Sequence, residues 1–134
     1  VLGNRTYSRQ NETGNGEMLL YEIETSGLLI TNSALVTTIS EENTDLWGRR
    51  IVETATSGMA ITGTRRAGEN PEVLLQFLSS SNRIEEPVTF GASGTQNGMD
   101  IELTNDGGFV VLGTNSYGGS GIISLIKTSS TGGI

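Results

Sequence analysis

The stretch from Met99 to Thr128, MDIELTNDGGFVVLGTNSYGGSGIISLIKT, predicts β-hairpins that follow one another directly. Its polar-glycine turn, Asn105-Asp106-Gly107-Gly108, lies between two short runs of alternating apolar residues. Two consecutive positions that tolerate a positive φ let the chain reverse without splaying the strands. A third apolar run, Ile122 to Ile126, follows a second glycine-rich break. The stretch therefore predicts three antiparallel strands joined by tight turns.

The same pattern occurs earlier in the chain, because a shift of 50 residues brings 51–84 into register with 101–134. A looser copy lies at the start, where 1–3 match 61–63 and 19–23 match 74–78. A constant period of about 50 residues is typical of repeat architectures such as propeller blades. The matched pairs include Ile51 with Ile101, Gly58 with Gly108, Gly63 with Gly113, Leu75 with Leu125, and Gly48 with Gly98.

The composition favours an all-β chain forming one domain. The 134 residues include 19 glycines and only two prolines, and abundant Ser and Thr indicate many tight turns. We expect strands at 18–24 and within 28–39, with an acidic loop at 40–45. The second copy predicts strands at 49–54, 59–64, 72–78 and 83–90, and the third predicts strands near 99–104, 109–114 and 122–128.

Four antiparallel strands per copy predict a β-propeller segment of about two and a half blades. Residues 1–47 form a partial blade, 48–97 a complete blade, and 98–134 a partial blade without its last strand. Runs such as Phe109-Val110-Val111-Leu112 fit strands covered on both faces by neighbouring blades. Two and a half blades cannot close a ring. We therefore expect the remaining blades of a longer propeller, or other chains, to complete the ring. The alternative fold is a β-sandwich of duplicated hairpins.

The run Thr-Asn-Asp-Gly-Gly-Phe-Val-Val-Leu-Gly-Thr at 104–114 and the run Ser-Leu-Ile-Lys-Thr-Ser-Ser-Thr-Gly-Gly-Ile at 124–134 carry a family resemblance. Together with the connector at 90–94, they resemble the blade repeat of secreted and lipid-anchored bacterial propeller proteins common in Bacteroidetes. The resemblance implies a secreted protein or one on the bacterial outer-membrane surface, with a lipid-anchored parent as one form.

Several function classes are disfavoured by composition. The chain has no cysteine and no histidine, which excludes thiolate metal sites and histidine-based acid–base catalysis. A net charge of −7 argues against nucleic acid as a partner. No stretch is apolar enough to insert in a membrane. The acidic residues Glu41, Glu42 and Asp45 lack the spacing of a calcium loop, so we expect no metal and no cofactor.

Candidate binding residues lie where the chain exceeds the repeat. The first copy is five residues longer than the second both from Gly3 to Leu19 and from Leu29 to Gly48. In a four-stranded meander these two expansions would emerge on one face, and loops on a rigid scaffold commonly carry binding. Tyr7, Trp47 and Tyr117 are the aromatic candidates on that face, suited to a sugar ring or a protein partner. The alternatives are that Trp47 fills a gap between blades and that the tyrosines are ordinary loop residues.

Arg49, Arg50, Arg65 and Arg66 are half of the eight cations in the chain. If Thr54 pairs near Met59, the four arginines gather at the same end as the candidate aromatics. The cluster predicts a carboxylate- or sulfate-binding patch. The alternative is a solvated cluster balanced by Glu69 and Glu72.

No serine–base arrangement or carboxylate pair occurs at a defensible spacing. We therefore expect a non-enzymatic module that binds a protein partner or scaffolds an assembly. A carbohydrate-binding propeller that uses the candidate aromatics is the alternative function. A third alternative is an enzyme whose catalytic residues lie in blades outside this chain.

Overall fold

The computed structural model describes residues 2–6, 16–26 and 29–134, with side chains over 16–23 and 34–134. Within these ranges every regular element is a β-strand, and all strand pairs are antiparallel. The prediction of an all-β chain is therefore confirmed. The strands are β1 (Leu2–Thr6), β2 (Gly16–Ser26), β3 (Leu29–Ile39), β4 (Asp45–Glu53), β5 (Met59–Arg66), β6 (Glu72–Leu78), β7 (Val88–Phe90), β8 (Thr95–Leu103), β9 (Phe109–Tyr117) and β10 (Ser120–Thr128).

Each copy of the repeat forms its own sheet. The first sheet has the order β1-β2-β3, the middle sheet β4-β5-β6-β7, and the third sheet β8-β9-β10. Gly48 pairs with Gly63 in the middle sheet, as Gly98 pairs with Gly113 in the third. In both ladders the register shifts by one residue directly after the first glycine of the pair. The repeat in the sequence is thus also a repeat of hydrogen-bond register.

The first sheet begins one strand later in the repeat. Gly3 pairs with Leu19 between β1 and β2, as Gly63 pairs with Leu74 between β5 and β6. This agrees with the sequence match of 1–3 to 61–63. Strand β1 therefore occupies the place of a second strand, and β4 and β8 occupy the place of a first strand.

The middle sheet is buried on both faces, which explains why its strands carry apolar residues at consecutive positions. Alternate side chains of a strand point to opposite faces, so Leu74 and Leu75 of β6 enter two different cores, and both are fully buried. One core joins Met18, Leu20 and Ile39 of the first sheet to Leu46, Ile61, Leu74 and Leu78; the other joins Ala60, Val73, Leu75 and Phe77 to Ile101, Phe109 and Val111 of the third.

Four turns of one type lie at one end of the stack, which we call the turn end (54–58, 79–83, 104–108 and 129–133). In each, the amide of the first residue donates to the carbonyl of the fifth, and the amide of the fourth donates to the carbonyl of the first. The fourth residue alone has a positive φ, whereas the sequence predicted two such positions at 105–108. These fourth residues are Ser57, Asn82, Gly107 and Gly132.

Strand boundaries differ from the prediction at two places. Strand β4 begins at Asp45, inside the predicted acidic loop. The predicted strand at 83–90 is reduced to β7 and an isolated bridge between Leu78 and Ile84. Between this bridge and β7, the buried Gln76 side chain donates to the carbonyl of Glu85 at 2.6 Å. A side-chain hydrogen bond therefore replaces part of the β6–β7 backbone ladder.

The second predicted expansion does not lie on the predicted face. The chain advances 17 residues from Leu20 to its partner Thr37, but only 13 residues from Leu75 to its partner Val88. The second expansion therefore lengthens the β2–β3 hairpin, which continues to the pair Ser26–Leu29. That hairpin extends toward the turn end, opposite to the predicted face. The first expansion falls on 7–15, outside the described residues.

Candidate functional site

The candidate site lies at the end of the stack opposite the turns, which we call the connector end (40–45, 65–72, 91–96 and 115–120). Here β4 and β8 begin and β5 and β9 end, so the connectors and long loops of neighbouring sheets come together. Two bonds join the middle and third sheets at this end. The amide of Gln96 donates to the carbonyl of Pro71 at 3.0 Å, and the Thr64 hydroxyl donates to Asn97 Oδ1 at 3.1 Å.

Trp47 and Arg66 form an aromatic–cation pair at the connector end. The guanidinium carbon of Arg66 lies 5.5 Å from the centre of the half-buried Trp47 ring, within the range of a cation–π contact. Asp45 is directly opposite Arg66 in the β4–β5 ladder, and its Oδ2 accepts from Arg66 Nη2 at 2.5 Å and from Nε at 3.2 Å. The pair therefore has a fixed geometry before any partner binds.

Asp45 also connects this pair to the first sheet. Its side chain is 8% exposed, and its Oδ1 accepts from the Gly16 amide at 2.9 Å. A buried carboxylate is stable as the anion when charged and amide donors satisfy its oxygens. Asp45 therefore holds Arg66 in place and links β2 to β4.

Arg65 forms a second ion-pair group beside the first. Glu41 of the β3–β4 connector accepts from Arg65 Nε at 2.7 Å and also contacts its Nη2, and Glu72 lies 3.6 Å from Nη1. The hydrogen bond from Arg65 is the largest influence on Glu41 and holds the pKa of that carboxyl below its usual value, although burial opposes the shift. Glu41 reciprocally raises the pKa of Arg65. This guanidinium is already neutralised by carboxylates.

The four arginines do not gather as predicted. Met59 pairs with Glu53 and not with Thr54, which places Arg50 opposite Thr62, and the register shift after Gly48 leaves Arg49 as the extra residue. Arg50 then reaches the third sheet, where its Nε lies 3.2 Å from Asp100 Oδ1. Arg49 and Arg50 are exposed on the edge strand β4, whereas Arg65 and Arg66 lie at the connector end. The predicted register is wrong by one residue from the turn onward, because the five residues 54–58 form the turn and Glu53 pairs with Met59.

The other predicted aromatic residues are partly placed. Tyr117 ends β9 at the connector end and is 63% exposed. Tyr7 lies outside the described residues.

The carboxylate partners of the arginines differ from those considered in the sequence. Glu72 was named as a balancing residue and does contact Arg65, but Glu41 and Asp45 are the closer partners. Both were assigned to a solvated acidic loop. The sequence offered no direct signal for the Asp45 contact, because Asp45 comes opposite Arg66 only through the register shift after Gly48.

A groove of about 510 Å³ runs between the first and middle sheets beside Arg65. Its floor includes the buried Ile39 and Leu46, and Glu41, Glu85 and Glu86 line its sides. Among the described residues, no group of three or more acidic side chains is arranged to hold a metal ion. The connector end therefore presents the Trp47–Arg66 aromatic–cation pair, surrounded by both acidic and basic side chains.

Comparisons of the chain with protein-family models, with curated proteins and with solved structures found no match. Within the described part of the chain, no helix is long and apolar enough to cross a membrane.

Proposed function

We propose that the chain is a non-enzymatic β-propeller module of a secreted or lipid-anchored bacterial outer-membrane protein, which binds a protein partner or scaffolds an assembly. The propeller part of the proposal is supported by sheets that follow one another at a fixed interval and bury the middle sheet on both faces. Propellers arrange about four to eight such sheets around a channel. The alternative architecture is a β-sandwich of duplicated hairpins.

The Trp47–Arg66 pair is the observation that supports partner binding most strongly. Trp and Arg are the residue types enriched among energetically dominant interface positions. Binding is favoured when such side chains are already ordered, because less conformational entropy is lost on association. Asp45 supplies this order by hydrogen bonding to Arg66, whose side chain is 43% exposed. A protein partner would therefore meet a rigid aromatic–cation surface.

The test is affinity capture by the full chain from a bacterial envelope extract, with bound proteins quantified by mass spectrometry. Trp47→Ala is expected to remove the captured partner while the circular dichroism spectrum stays unchanged. Leu103→Ala is the matched control, since Leu103 is 41% exposed but lies beside the turn end. Equal capture by the wild-type chain and Trp47→Ala would contradict the proposal.

A glycan partner is the second candidate, and the exposure of Tyr117 favours it. Exposed aromatic rings stack on the apolar faces of sugars, and Tyr117 lies at the same end as Trp47. Binding on a glycan array that is lost in Tyr117→Ala and Trp47→Ala, with no protein captured from the envelope, would favour this candidate.

A further inference from the structure

The third sheet has an apolar face that no other described element covers. Ile123 and Leu125 of β10 are 75% and 72% exposed, and Val110 and Leu112 of β9 are half-buried beside them. Leu125 pairs with Leu112 across the ladder, so these side chains form one continuous surface. We call these four residues the free face.

The repeat shows what covers such a face elsewhere in the chain. The free-face residues lie 50 positions after residues of the middle sheet that are all buried, none more than 3% exposed. The third sheet covers those residues with Ile101, Phe109 and Val111. The covered residues are Ala60, Thr62, Val73 and Leu75, which correspond to Val110, Leu112, Ile123 and Leu125.

We propose that the free face binds a further antiparallel sheet of the same repeat, which packs on it as the third sheet packs on the middle sheet. This inference deepens the propeller part of the proposed function and rests on it. The occupant supplies a first strand equivalent to β8, because β8 contacts β4, β5 and β6 of the sheet that it covers. The backbone of β8 is thus the part of the third sheet that lies closest to the middle sheet, while Phe109 and Val111 of β9 complete the cover.

A second copy of this chain fits the free face less well. The sheet that it would present is the first sheet, in which β1 occupies the place of a second strand and, among the described strands, pairs with β2 alone. In the described part of that sheet no strand stands in the place of β8. The contacts that β8 makes would therefore be missing from such a dimer.

The test is a chain lengthened by its own repeat. Ile134 corresponds to Ile84, so a second copy of 85–134 joined after Ile134 continues the register and provides equivalents of β7, β8, β9 and β10. Docking is expected to slow amide hydrogen exchange at Ile123 and Leu125 by about tenfold or more, since burial of such side chains shifts a local opening equilibrium by at least that factor.

Leu125→Asp in the lengthened chain supplies the control, since a buried unpaired carboxylate opposes docking. It is expected to return exchange rates at Ile123 and Leu125 to those of the 134-residue chain, whereas Ile84→Asp, at an exposed position outside the free face, is expected to leave them as in the lengthened chain. Unchanged exchange in the lengthened chain, or its failure to fold, would overturn the inference. So would a concentration-dependent dimer of the 134-residue chain that Leu125→Asp abolishes, because a second copy would then be the occupant. Partner capture through Trp47 is independent of these results.

Discussion

A single backbone angle distinguishes two turns that are otherwise equivalent. Ser57 has φ of 61° and Gly107 has φ of 79° at the same position of the 54–58 and 104–108 turns. The left-handed region costs a residue with a Cβ roughly 1–2 kcal/mol, partly offset because glycine loses more entropy on folding. We therefore expect Ser57→Gly to raise the free energy of unfolding by about 0.5 kcal/mol, measured by urea denaturation.

The reciprocal substitution is the control. Gly107→Ser is expected to lower the free energy of unfolding by about 1 kcal/mol. A Cβ at Gly107 would meet only the Ala55 methyl at 4.0 Å, so the cost arises from φ and not from crowding. Two changes of the same sign would contradict this account of the turns.

Glu41 and Arg65 predict a pH dependence at the residue scale. The pKa of Glu41 is lower in the folded chain than its ordinary value of 4.5, first because Arg65 donates hydrogen bonds to it. The ion pair therefore stabilises the fold at pH values above the ordinary pKa of Glu41. This stabilisation is lost as pH falls through the pKa of Glu41 in the folded chain. Because both side chains are partly exposed, we expect it to be no more than about 1 kcal/mol.

The measurement is a carboxyl NMR titration of Glu41. Arg65→Met is expected to raise the pKa of Glu41, whereas Arg66→Met, whose guanidinium binds Asp45 instead, is expected to leave it unchanged. A wild-type Glu41 that titrates at its ordinary value would count against the ion pair.

At the scale of elements, the close approach of two glycines fixes how the third sheet sits on the middle sheet. A Cβ at Gly98 of β8 would lie 2.5 Å from the carbonyl oxygen of Gly63 and 2.5 Å from the Thr62 hydroxyl. Gly98→Ala is thus expected to push the sheets apart and lower the free energy of unfolding by about 3 kcal/mol, measured by urea denaturation.

Gly68→Ala is the matched control for this prediction. Gly68 lies in the loop after β5, where an added Cβ meets nothing within 4 Å. We expect Gly68→Ala to change the free energy of unfolding by no more than about 0.5 kcal/mol. A loss as large as that of Gly98→Ala would show that the effect belongs to glycine replacement in general.

The sequence predicted the repeat, the turn positions and most strands, because these depend on local spacing. Gly48 and Gly98 mark one register position in two sheets, and that correspondence was visible from the fifty-residue shift. The bulge at Arg49 was not, since nothing in the local pattern distinguishes it from an ordinary strand residue. The turn pairs Glu53, and not Thr54, with Met59, and this moves Arg50 away from Arg65. The extra residue Arg49 then shifts the start of β4 and brings Asp45 opposite Arg66.

At the scale of the whole molecule, the position of a sheet in the stack decides what the same residue contributes. Leu75 and Leu125 occupy equivalent positions in β6 and β10, but Leu75 is fully buried and Leu125 is 72% exposed. Leu75→Ala removes buried methyl groups and leaves a cavity, so we expect it to cost about 3 kcal/mol of unfolding free energy. Leu125→Ala removes atoms that water already contacts, and its expected cost is within about 0.5 kcal/mol. Urea denaturation of the two variants measures the contrast, and equal losses would mean that the third sheet is covered on both faces in solution.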